Sequence, residues 1–373
     1  MGNDDYWRNL LGALDYPLIA AVLAVYAIGV LTIYSAAGGA ERLGGFYASR
    51  QLMWGAVSAV AFAAVLRLDL AFWTEKSYWA YGACCALLVM LFFLGHRAKG
   101  AQSWIAVGGF RVQPAEFAKI GLAFAMAKYA EEFPLTGLKN FLGALALGGA
   151  SIALVLVQPD LGSALVLGVM LFASLFVAGT PGRYLMSVAG AGVASLPLGW
   201  LMLKNYQKNR ILVFLDPERD PLGAGYNVIQ SRIAVGSGHF WGAGFLKGAQ
   251  SKLRFLPEPH TDFIFSVYAE EFGLAGCFVL LFLLSFILWR MLRIALMSRS
   301  TSTKIIVAAL SASLWFHCLE SIGMCMGLLP VTGLPLPLMS YGGSSLLATA
   351  LGVAVAVRLG ADDELQRRLG EVE

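Results

Sequence analysis

Long apolar stretches, separated by short polar connections, run along most of the chain. A helix that spans a bilayer needs about 20 apolar residues. Residues 204–262 are conspicuously more polar than the rest. We predict an all-α fold, a polytopic membrane helix bundle of about ten transmembrane helices. The predicted bundle forms a single domain over residues 1–373. Residues 204–262 are expected to form a large loop between spans seven and eight. The predicted spans lie near Tyr16–Ala37, Gln51–Leu66, Trp79–Leu94, Pro114–Ala130, Phe141–Val157, Ser163–Ala178, Tyr184–Leu203, Phe263–Trp289, Ile305–Leu328 and Ser340–Val357.

The composition excludes two broad classes of protein. Hydrophobic residues make up 58% of the chain and charged residues 13%, whereas a soluble domain is roughly 25% charged. A soluble enzyme is therefore excluded. The net charge of +4 is too small and too scattered for a nucleic-acid binder, so we expect no nucleic-acid partner. The five cysteines lie in apolar runs without metal or disulfide spacing, which is typical of small core residues.

Basic residues are shared unequally between the two sides of the predicted bundle. The segment Arg290–Lys304 contains several of them and no acid, and it lies on the side that holds both termini. Excess Lys and Arg in short loops marks the cytoplasmic side, whereas a long loop can cross regardless of its charge. We therefore expect both termini in the cytoplasm and the loop 204–262 in the periplasm or extracellular space.

Ionisable residues inside spans are costly and are functional candidates by default. Glu116 and Lys119 lie at i, i+3 in the fourth span, which Pro114 opens as a first-turn residue. They form either a self-neutralised pair or, with Arg111 and the helix N-terminus, a binding site for an anionic headgroup. Periodicity alone favours neither alternative.

Two further acidic positions precede predicted spans. Asp160, in the run QPDLGS, is most simply explained as a helix cap. Thr261 or Asp262 would cap the eighth span in the same way. However, Asp262, Ser266 and Glu270 lie at i, i+4 and i+8, on one helix face from the water boundary inward. A helix cap requires only one acidic residue, whereas this face has two, so it is a candidate functional site.

The loop 204–262 contains eight basic residues against four acidic residues before Asp262, interleaved with apolar ones. A flexible segment lying on the lipid surface would explain this, but a long loop with so much apolar content is more often folded and functional. Its chemistry suits an amphiphile with a phosphate head and a lipid tail.

The connection 330–345, PVTGLPLPLMSYGGSS, has three prolines and no charge. Irregular backbone at membrane depth is tolerated only against protein or a cavity. We predict a re-entrant or broken segment that faces the same outer cavity, with a plain loop as the alternative. In the ninth span, Glu320 follows His317 by three residues, which predicts a pair with a structural role.

Seven runs of the chain are especially specific: KGAQSW, VQPAEFAK, QPDLGS, DPLGAGYNVIQSRIAVGSG, FLPEPHTDFIF, AEEFG and GLLPVTGLPLPLMSYGGSS. Together they resemble the SEDS family of polytopic proteins (shape, elongation, division and sporulation) over nearly the whole chain. The form VGSG followed by GFLKGAQS resembles the elongation branch of that family. Family members often have Arg after the Gly-Ala-Gln run and Asn before Ile-Gly-Met, where this chain has Ser103 and Ser321; no phosphate contact is therefore assigned to position 103.

The resemblance implies a peptidoglycan glycosyltransferase that polymerises lipid II at the outer face of the cytoplasmic membrane during cell elongation and rod-shape maintenance. Its implied partners are a class B penicillin-binding transpeptidase and other elongation-complex proteins. The family's essential acid maps onto Asp262. The candidate substrate-binding residues, from the family motifs and from the polar clusters above, are Arg111, Gln113, Glu116, Lys119, Gln158, Asp160, Arg210, His260, Thr261 and Glu270.

In the implied reaction, a GlcNAc 4-hydroxyl attacks the MurNAc anomeric carbon of a lipid-linked donor, and a lipid pyrophosphate leaves. Asp262 is the expected general base. Arg111, Lys119 and Arg210, in that order, are the candidate cations for the leaving group. A Mg²⁺ or Mn²⁺ ion that bridges the pyrophosphate to Asp262 or Glu116 is a further candidate, and no organic cofactor is expected.

Two other functions remain open at this stage. A lipid II flippase would use the same bundle and basic cavity for transport, and it predicts polar residues that continue into the cytoplasmic half. Most of them stop in the outer half, with Glu271 and Glu320 as exceptions. A noncatalytic scaffold of the elongation complex predicts no requirement for Asp262.

Overall fold

The computed structural model describes residues 3–39, 43–94, 96–98, 101–107, 110–221, 223–253 and 255–370. Lys99 and Gly100 of the run KGAQSW, and Leu222 and Arg254 of the long loop, lie outside these ranges. The described chain is almost entirely helical. Its helices are α1 (Asn3–Ala13), α2 (Tyr16–Ala36), α3 (Gly44–Arg67), α4 (Leu70–Glu75), α5 (Ser77–Leu94), α6 (Pro114–Glu132), α7 (Leu138–Val157), α8 (Leu161–Val177), α9 (Gly182–Ala194), α10 (Leu196–Met202), α11 (Asn205–Leu215), α12 (Ala224–Ser237), α13 (Ala249–Lys252), α14 (Ile264–Met297), α15 (Thr301–Cys325) and α16 (Gly343–Gly370).

All ten predicted spans coincide with helices, which confirms a polytopic helical bundle. Within the described ranges, seven helical segments are long and apolar enough to cross a membrane: Tyr16–Ala36, Gly44–Arg67, Leu138–Val157, Gly182–Leu201, Ile264–Met297, Thr301–Cys325 and Gly343–Arg368. Two other predicted spans fall on the shorter apolar helices Ser77–Phe93 and Leu161–Val177. The remaining one falls on α6, whose apolar sequence is interrupted by charged residues such as Glu116 and Lys119.

Helix α15 lies at the centre of the bundle, where it packs against α6, α8, α14 and α16. Its apolar window is 67% buried, whereas that of the segment Gly182–Leu201 is only 6% buried. The terminal helices lie together, since Leu10 of α1 packs against Ala361 and Leu365 of α16. Both described ends of the chain therefore lie at the same end of the bundle, as the predicted orientation requires.

A small antiparallel sheet, which the apolar pattern did not predict, connects α5 to α6. Its strands are β1 (His96–Ala98), β2 (Ala101–Val107) and β3 (Phe110–Val112), in the order β1-β2-β3. Ala106 of β2 pairs with Arg111 of β3. The sheet ends directly before Gln113 and the first turn of α6, so it sets the position from which α6 enters the bundle.

The described residues of 204–262 form α11, a 3₁₀ turn at Pro217–Arg219, α12 and α13, joined by irregular stretches. Helix α12 packs against α14 and α15. Its residue Ser231 is fully buried, and the buried hydroxyl group lies 2.6 Å from that of Ser266 and donates to the Cys325 carbonyl at 2.7 Å. The prediction that this segment is folded is confirmed.

Helix α14 is broken at Gly273, which has φ +63° and ψ −165°. The loop at 238–244 crosses the helix there. The N–H groups of Leu274 and Ala275 donate to the carbonyls of His239 and Phe240, at 2.9 and 3.0 Å. A Cβ atom on Gly273 would lie 2.3 Å from the backbone nitrogen of Gly242. Only glycine permits both this conformation and this close approach.

A second close backbone approach gives a testable prediction for Gly29 of α2. A Cβ atom there would lie 2.7 Å from the Cα of Met339 and 2.9 Å from the Leu338 carbonyl oxygen. Because backbone cannot move aside as a side-chain tip does, Gly29→Ala is expected to lower the free energy of unfolding by about 1–3 kcal/mol. Denaturant unfolding in detergent measures this change.

The matched control is Gly149→Ala in α7, where a Cβ atom would meet nothing within 4 Å. This substitution is expected to leave stability unchanged or slightly higher. Equal unfolding free energies for the two variants would contradict the close approach of α2 to residues 338–339.

Candidate active site

Asp262 lies directly before Phe263, and Phe263, rather than Thr261 or Asp262, is the N-cap residue of α14. The expectation that one of these two residues caps the helix is therefore wrong. The backbone of Asp262 is fixed from α15, because the thiol of Cys325 donates to the Asp262 carbonyl at 3.6 Å. Its half-buried side chain lines a cavity.

This cavity has a volume of about 230 Å³ and lies between the folded loop segment and the end of the bundle. We call it the Asp262 cavity. It combines one cationic and two acidic side chains with an apolar wall, which suits a ligand with polar and lipid parts. Its walls include the polar residues Arg210, Asn227, Glu258 and Asp262 and the apolar residues Val213, Val228, Phe263 and Val331.

Arg210, on α11, is held in the cavity wall by its neighbours. Its Nη1 donates to the carbonyl of Thr332 at 3.3 Å, and its guanidinium lies 5.8 Å from the ring centroid of Tyr206. The Tyr206 hydroxyl donates to the Pro159 carbonyl at 3.2 Å. Burial raises the pKa of that hydroxyl. These contacts fix the cation on the same wall as Asp262.

Residues 330–342, between α15 and α16, form an irregular stretch, hereafter the 330–342 segment, that packs against the Asp262 region. The N–H of Tyr341 donates to the His260 carbonyl at 2.9 Å, and the Ser340 hydroxyl donates to the Thr261 carbonyl at 2.8 Å. A Cβ atom on Gly333 would lie 3.7 Å from Oδ2 of Asp262. The prediction of a broken segment that faces this cavity is confirmed, since 330–342 is irregular and Val331 lines the cavity.

His260 and Thr261 flank Asp262, but their side chains make contacts within the protein. The ring of His260 lies 4.3 Å from that of Tyr47 and 5.7 Å from that of Tyr341, measured between centroids. The Thr261 hydroxyl lies 3.4 Å from the Glu258 carbonyl, to which it donates. Both residues therefore stabilise the backbone that carries Asp262.

Gln113 and Asp160 meet where α6 and α8 begin. The amide of Gln113 donates to Oδ2 of Asp160 at 2.9 Å, and Oδ1 of Asp160 accepts the N–H of Ser163 at 3.1 Å. Asp160 therefore caps α8, as predicted. Gln158 is buried and donates to the carbonyl of Leu88 at 2.8 Å, which ties it to α5.

Glu116 and Lys119 form a buried ion pair on α6, with Lys119 Nζ 2.8 Å from Glu116 Oε1. The same ammonium lies 2.9 Å from Nε2 of His317 on α15. Exposed fractions of 3% and 6% for Glu116 and Lys119 favour the self-neutralised alternative over a headgroup site. The predicted pairing of His317 with Glu320 is wrong, because His317 contacts Lys119 and Glu320 binds Thr332.

Glu270 is also buried, and its Oε1 accepts the N–H of Gln250 at 2.9 Å. Ser266 is bound to Ser231. The predicted continuous face of Asp262, Ser266 and Glu270 is therefore divided, because α12 and the following loop cover its inner part. Glu270 holds the start of α13 rather than lining the Asp262 cavity.

Arg111 is exposed on β3, and the described walls of the Asp262 cavity do not include it. Sequence reasoning did not single out Asn227 or Glu258, which line this cavity, or Gly333, where an added Cβ atom would lie 3.7 Å from Asp262. Glu258 precedes Asp262 by four residues in the run FLPEPHTDFIF, and this proximity was an available signal. No local pattern indicates Asn227.

Comparison with known proteins identifies the family. A model of cell cycle proteins of the FtsW, RodA and SpoVE type matches residues 16–364. The chain is 39% identical to the peptidoglycan glycosyltransferase MrdB of Escherichia coli K12, with 93% of each chain covered. It is 33% identical to the stage V sporulation protein E of Bacillus subtilis, with 92% of this chain and 96% of the relative covered.

Solved structures agree with the sequence comparison. A structure described as showing the coordination of polymerization and crosslinking by a peptidoglycan synthase complex superposes with a TM-score of 0.81 at 32% identity, covering 94% of this chain and 98% of the other. The rod shape determining protein RodA of Thermus thermophilus superposes with a TM-score of 0.72 at 29% identity, covering 94% and 97%. The chain therefore belongs to the FtsW/RodA/SpoVE family, the SEDS family, of multi-pass proteins of the cytoplasmic membrane.

Proposed function

We propose that this protein is a peptidoglycan glycosyltransferase that polymerises lipid II into β-1,4 glycan strands at the outer face of the cytoplasmic membrane, during cell elongation and rod-shape maintenance. The single observation that carries the proposal is the Asp262 cavity, where a carboxylate and the Arg210 guanidinium share one wall beneath the 330–342 segment. Relatives named peptidoglycan glycosyltransferases support the reaction class.

Asp262 acts as the general base. Its carboxylate accepts the proton of the GlcNAc 4-hydroxyl as that oxygen bonds to the MurNAc anomeric carbon of the donor. The bond from that carbon to the pyrophosphate breaks, and the lipid pyrophosphate leaves with the bonding electron pair. One direct displacement converts the α-linked donor into a β-linked product. A neutral hydroxyl is a poor nucleophile, which is why a carboxylate is needed within hydrogen-bond reach.

Arg210 is the first candidate for the cation that stabilises the departing pyrophosphate. A fixed charge aimed at developing negative charge lowers the barrier, and Arg210 is fixed in the cavity wall. Lys119 falls behind it because its ammonium is already bound to Glu116 and His317. Arg111, which is exposed on β3, remains a candidate for contact with substrate at the bundle surface.

A divalent cation is a further part of the proposal. Mg²⁺ and Mn²⁺ favour one or two carboxylates together with phosphate oxygens, and Asp262 with Glu258 on the cavity wall matches that donor set. Glu116 does not, because it is buried against Lys119. Among the described residues there is no group of three or more metal-ligating side chains, so substrate oxygens would complete the coordination. The ion would neutralise charge on the pyrophosphate.

We also propose that the protein works with a class B penicillin-binding transpeptidase, alongside other elongation-complex proteins. The similar solved complex, described by its coordination of polymerization and crosslinking, supports this pairing. The new glycan strand would then be available to the crosslinking enzyme as it is formed.

The test is glycan-strand formation from purified lipid II by the wild-type protein in lipid vesicles, with and without the transpeptidase, and with Mg²⁺, Mn²⁺ or a chelator. We expect polymer that needs the protein, and less of it after chelation. Movement of labelled lipid II across the vesicle membrane, without polymer in any sample, would instead indicate a flippase. Neither polymer nor transport would indicate a scaffold.

A further inference from the structure

Two buried polar residues of α15 have no part in the proposed chemistry. Glu320 and His317 lie three residues apart on one helix face, and each is 3% exposed. Keeping ionisable groups inside a membrane bundle is costly unless they make specific contacts. Both side chains reach the same target, the backbone of the 330–342 segment.

Glu320 binds the first part of this segment through Thr332. Its Oε1 accepts the N–H of Thr332 at 3.3 Å and also the Thr332 hydroxyl. Its Oε2 is buried and has no hydrogen-bond partner among the described residues. The hydrogen bonds that the carboxylate makes within the described chain therefore all hold Thr332. Arg210 and Asp262 are the charges that interact with it electrostatically.

Thr332 is held from the other side as well, because its carbonyl accepts Nη1 of Arg210 at 3.3 Å. One residue is thus fixed between α15 and α11. The next residue is Gly333, where an added Cβ atom would lie 3.7 Å from Oδ2 of Asp262. Any shift of Thr332 consequently changes the distance from the segment to Asp262.

His317 binds the second part of the segment. Lys119 is an ammonium and can only donate, so Nε2 of His317 accepts from it at 2.9 Å. The proton of the neutral ring is then on Nδ1, which donates to the Pro335 carbonyl at 3.3 Å. The ion pair on α6 therefore sets the tautomer that holds Pro335.

We propose that Glu320 and His317 are positioning residues that hold the 330–342 segment at a fixed distance across the Asp262 cavity. The inference deepens the proposed function and rests on it for its effect on turnover. Neither residue touches the reacting atoms. They hold the segment in the position that Asp262 and Arg210 require on that side of the cavity. A misplacement of about 1 Å in an active site can cost two orders of magnitude in rate.

Thr332 allows the sharpest test, because two substitutions there each change one group of the side chain. Thr332→Val keeps the shape but removes the hydroxyl donor, whereas Thr332→Ser keeps the donor. His317→Leu and His317→Gln form a second pair, since glutamine can still accept from Lys119 and donate to Pro335. Each variant is compared with the wild type for thermal unfolding, for amide hydrogen exchange and for polymerisation of lipid II.

We expect amide exchange in peptides that cover 326–342 to rise about fivefold or more in Thr332→Val and His317→Leu, because local opening becomes easier. The Thr332→Ser and His317→Gln variants should exchange like the wild type. Turnover, kcat, should fall about tenfold in the two disruptive variants, while KM for lipid II changes less than about threefold. The conservative variants should retain turnover.

Unchanged exchange in Thr332→Val and His317→Leu would overturn the proposal, whatever the activity. So would equal losses in the conservative and disruptive variants, or a loss of turnover that only follows a loss of folded protein. If the wild type forms no polymer, the proposed function fails, and the exchange measurement still decides whether these residues hold the segment.

Discussion

Asp262→Asn is expected to lower the rate of glycan polymerisation by about 10²–10⁴-fold, because an amide cannot accept the proton of the attacking hydroxyl. The substitution keeps the size and shape of the side chain. Since Asp262 is not the N-cap of α14, the helix start should be unaffected. The measurement is the initial rate of strand formation from purified lipid II, in the presence of the transpeptidase, together with the thermal unfolding curve of each protein.

Glu218→Gln is the matched control, because Glu218 is an exposed acid in the 3₁₀ turn of the same folded loop. It should polymerise at close to the wild-type rate. Two results would remove Asp262 from the chemistry: a retained rate in Asp262→Asn, or an equal loss in both variants. A lost rate with unchanged unfolding would support its role as the base.

Lys119→Met is expected to lower the free energy of unfolding by about 3–5 kcal/mol, because it leaves Glu116 as an uncompensated charge in the bundle interior. The ion pair is almost completely buried, between α6 and α15. The double variant Glu116→Gln with Lys119→Met removes both charges and should recover much of the loss. Denaturant unfolding in detergent measures all three proteins.

The same helix provides the control. Lys128 lies 3.5 Å from Glu132, and these side chains are 21% and 41% exposed. Lys128→Met should therefore cost less than about 1 kcal/mol. A small effect for Lys119→Met, or a double variant no more stable than the single one, would show that Glu116 finds another partner and that the pair contributes little to stability.

Hydropathy was enough to locate the predicted spans, because a long apolar run in lipid must satisfy its own backbone hydrogen bonds and so folds as a helix. Local rules also succeeded where the partner lies in the same turn. Asp160 caps α8, and Pro114 opens α6, as their positions predict. The broken 330–342 segment followed from its prolines and its lack of charge.

Side-chain pairing across helices could not be predicted in the same way. The i, i+3 spacing of His317 and Glu320 suggested that they pair with each other. Instead, His317 contacts Lys119, which is distant in sequence, and Glu320 binds Thr332 in the 330–342 segment. In a packed bundle, the neighbours of a buried side chain are decided by which helices meet, and a single helix does not contain that information. The small sheet escaped prediction because β1 and β3 have only three residues each, and because the seven residues of β2, AQSWIAV, do not alternate between apolar and polar.

The break in α14 at Gly273 links the formation of this span to the loop beside it. A helix interrupted inside a membrane leaves backbone groups that lipid cannot satisfy, at a cost of several kcal/mol for each group. Here the crossing loop satisfies them, since Leu274 and Ala275 donate to it and the carbonyls of Glu270 and Glu271 accept its N–H groups. The backbone of α14 at this break is therefore satisfied only when the loop has docked, and we expect the span and this loop to fold in one assembly step.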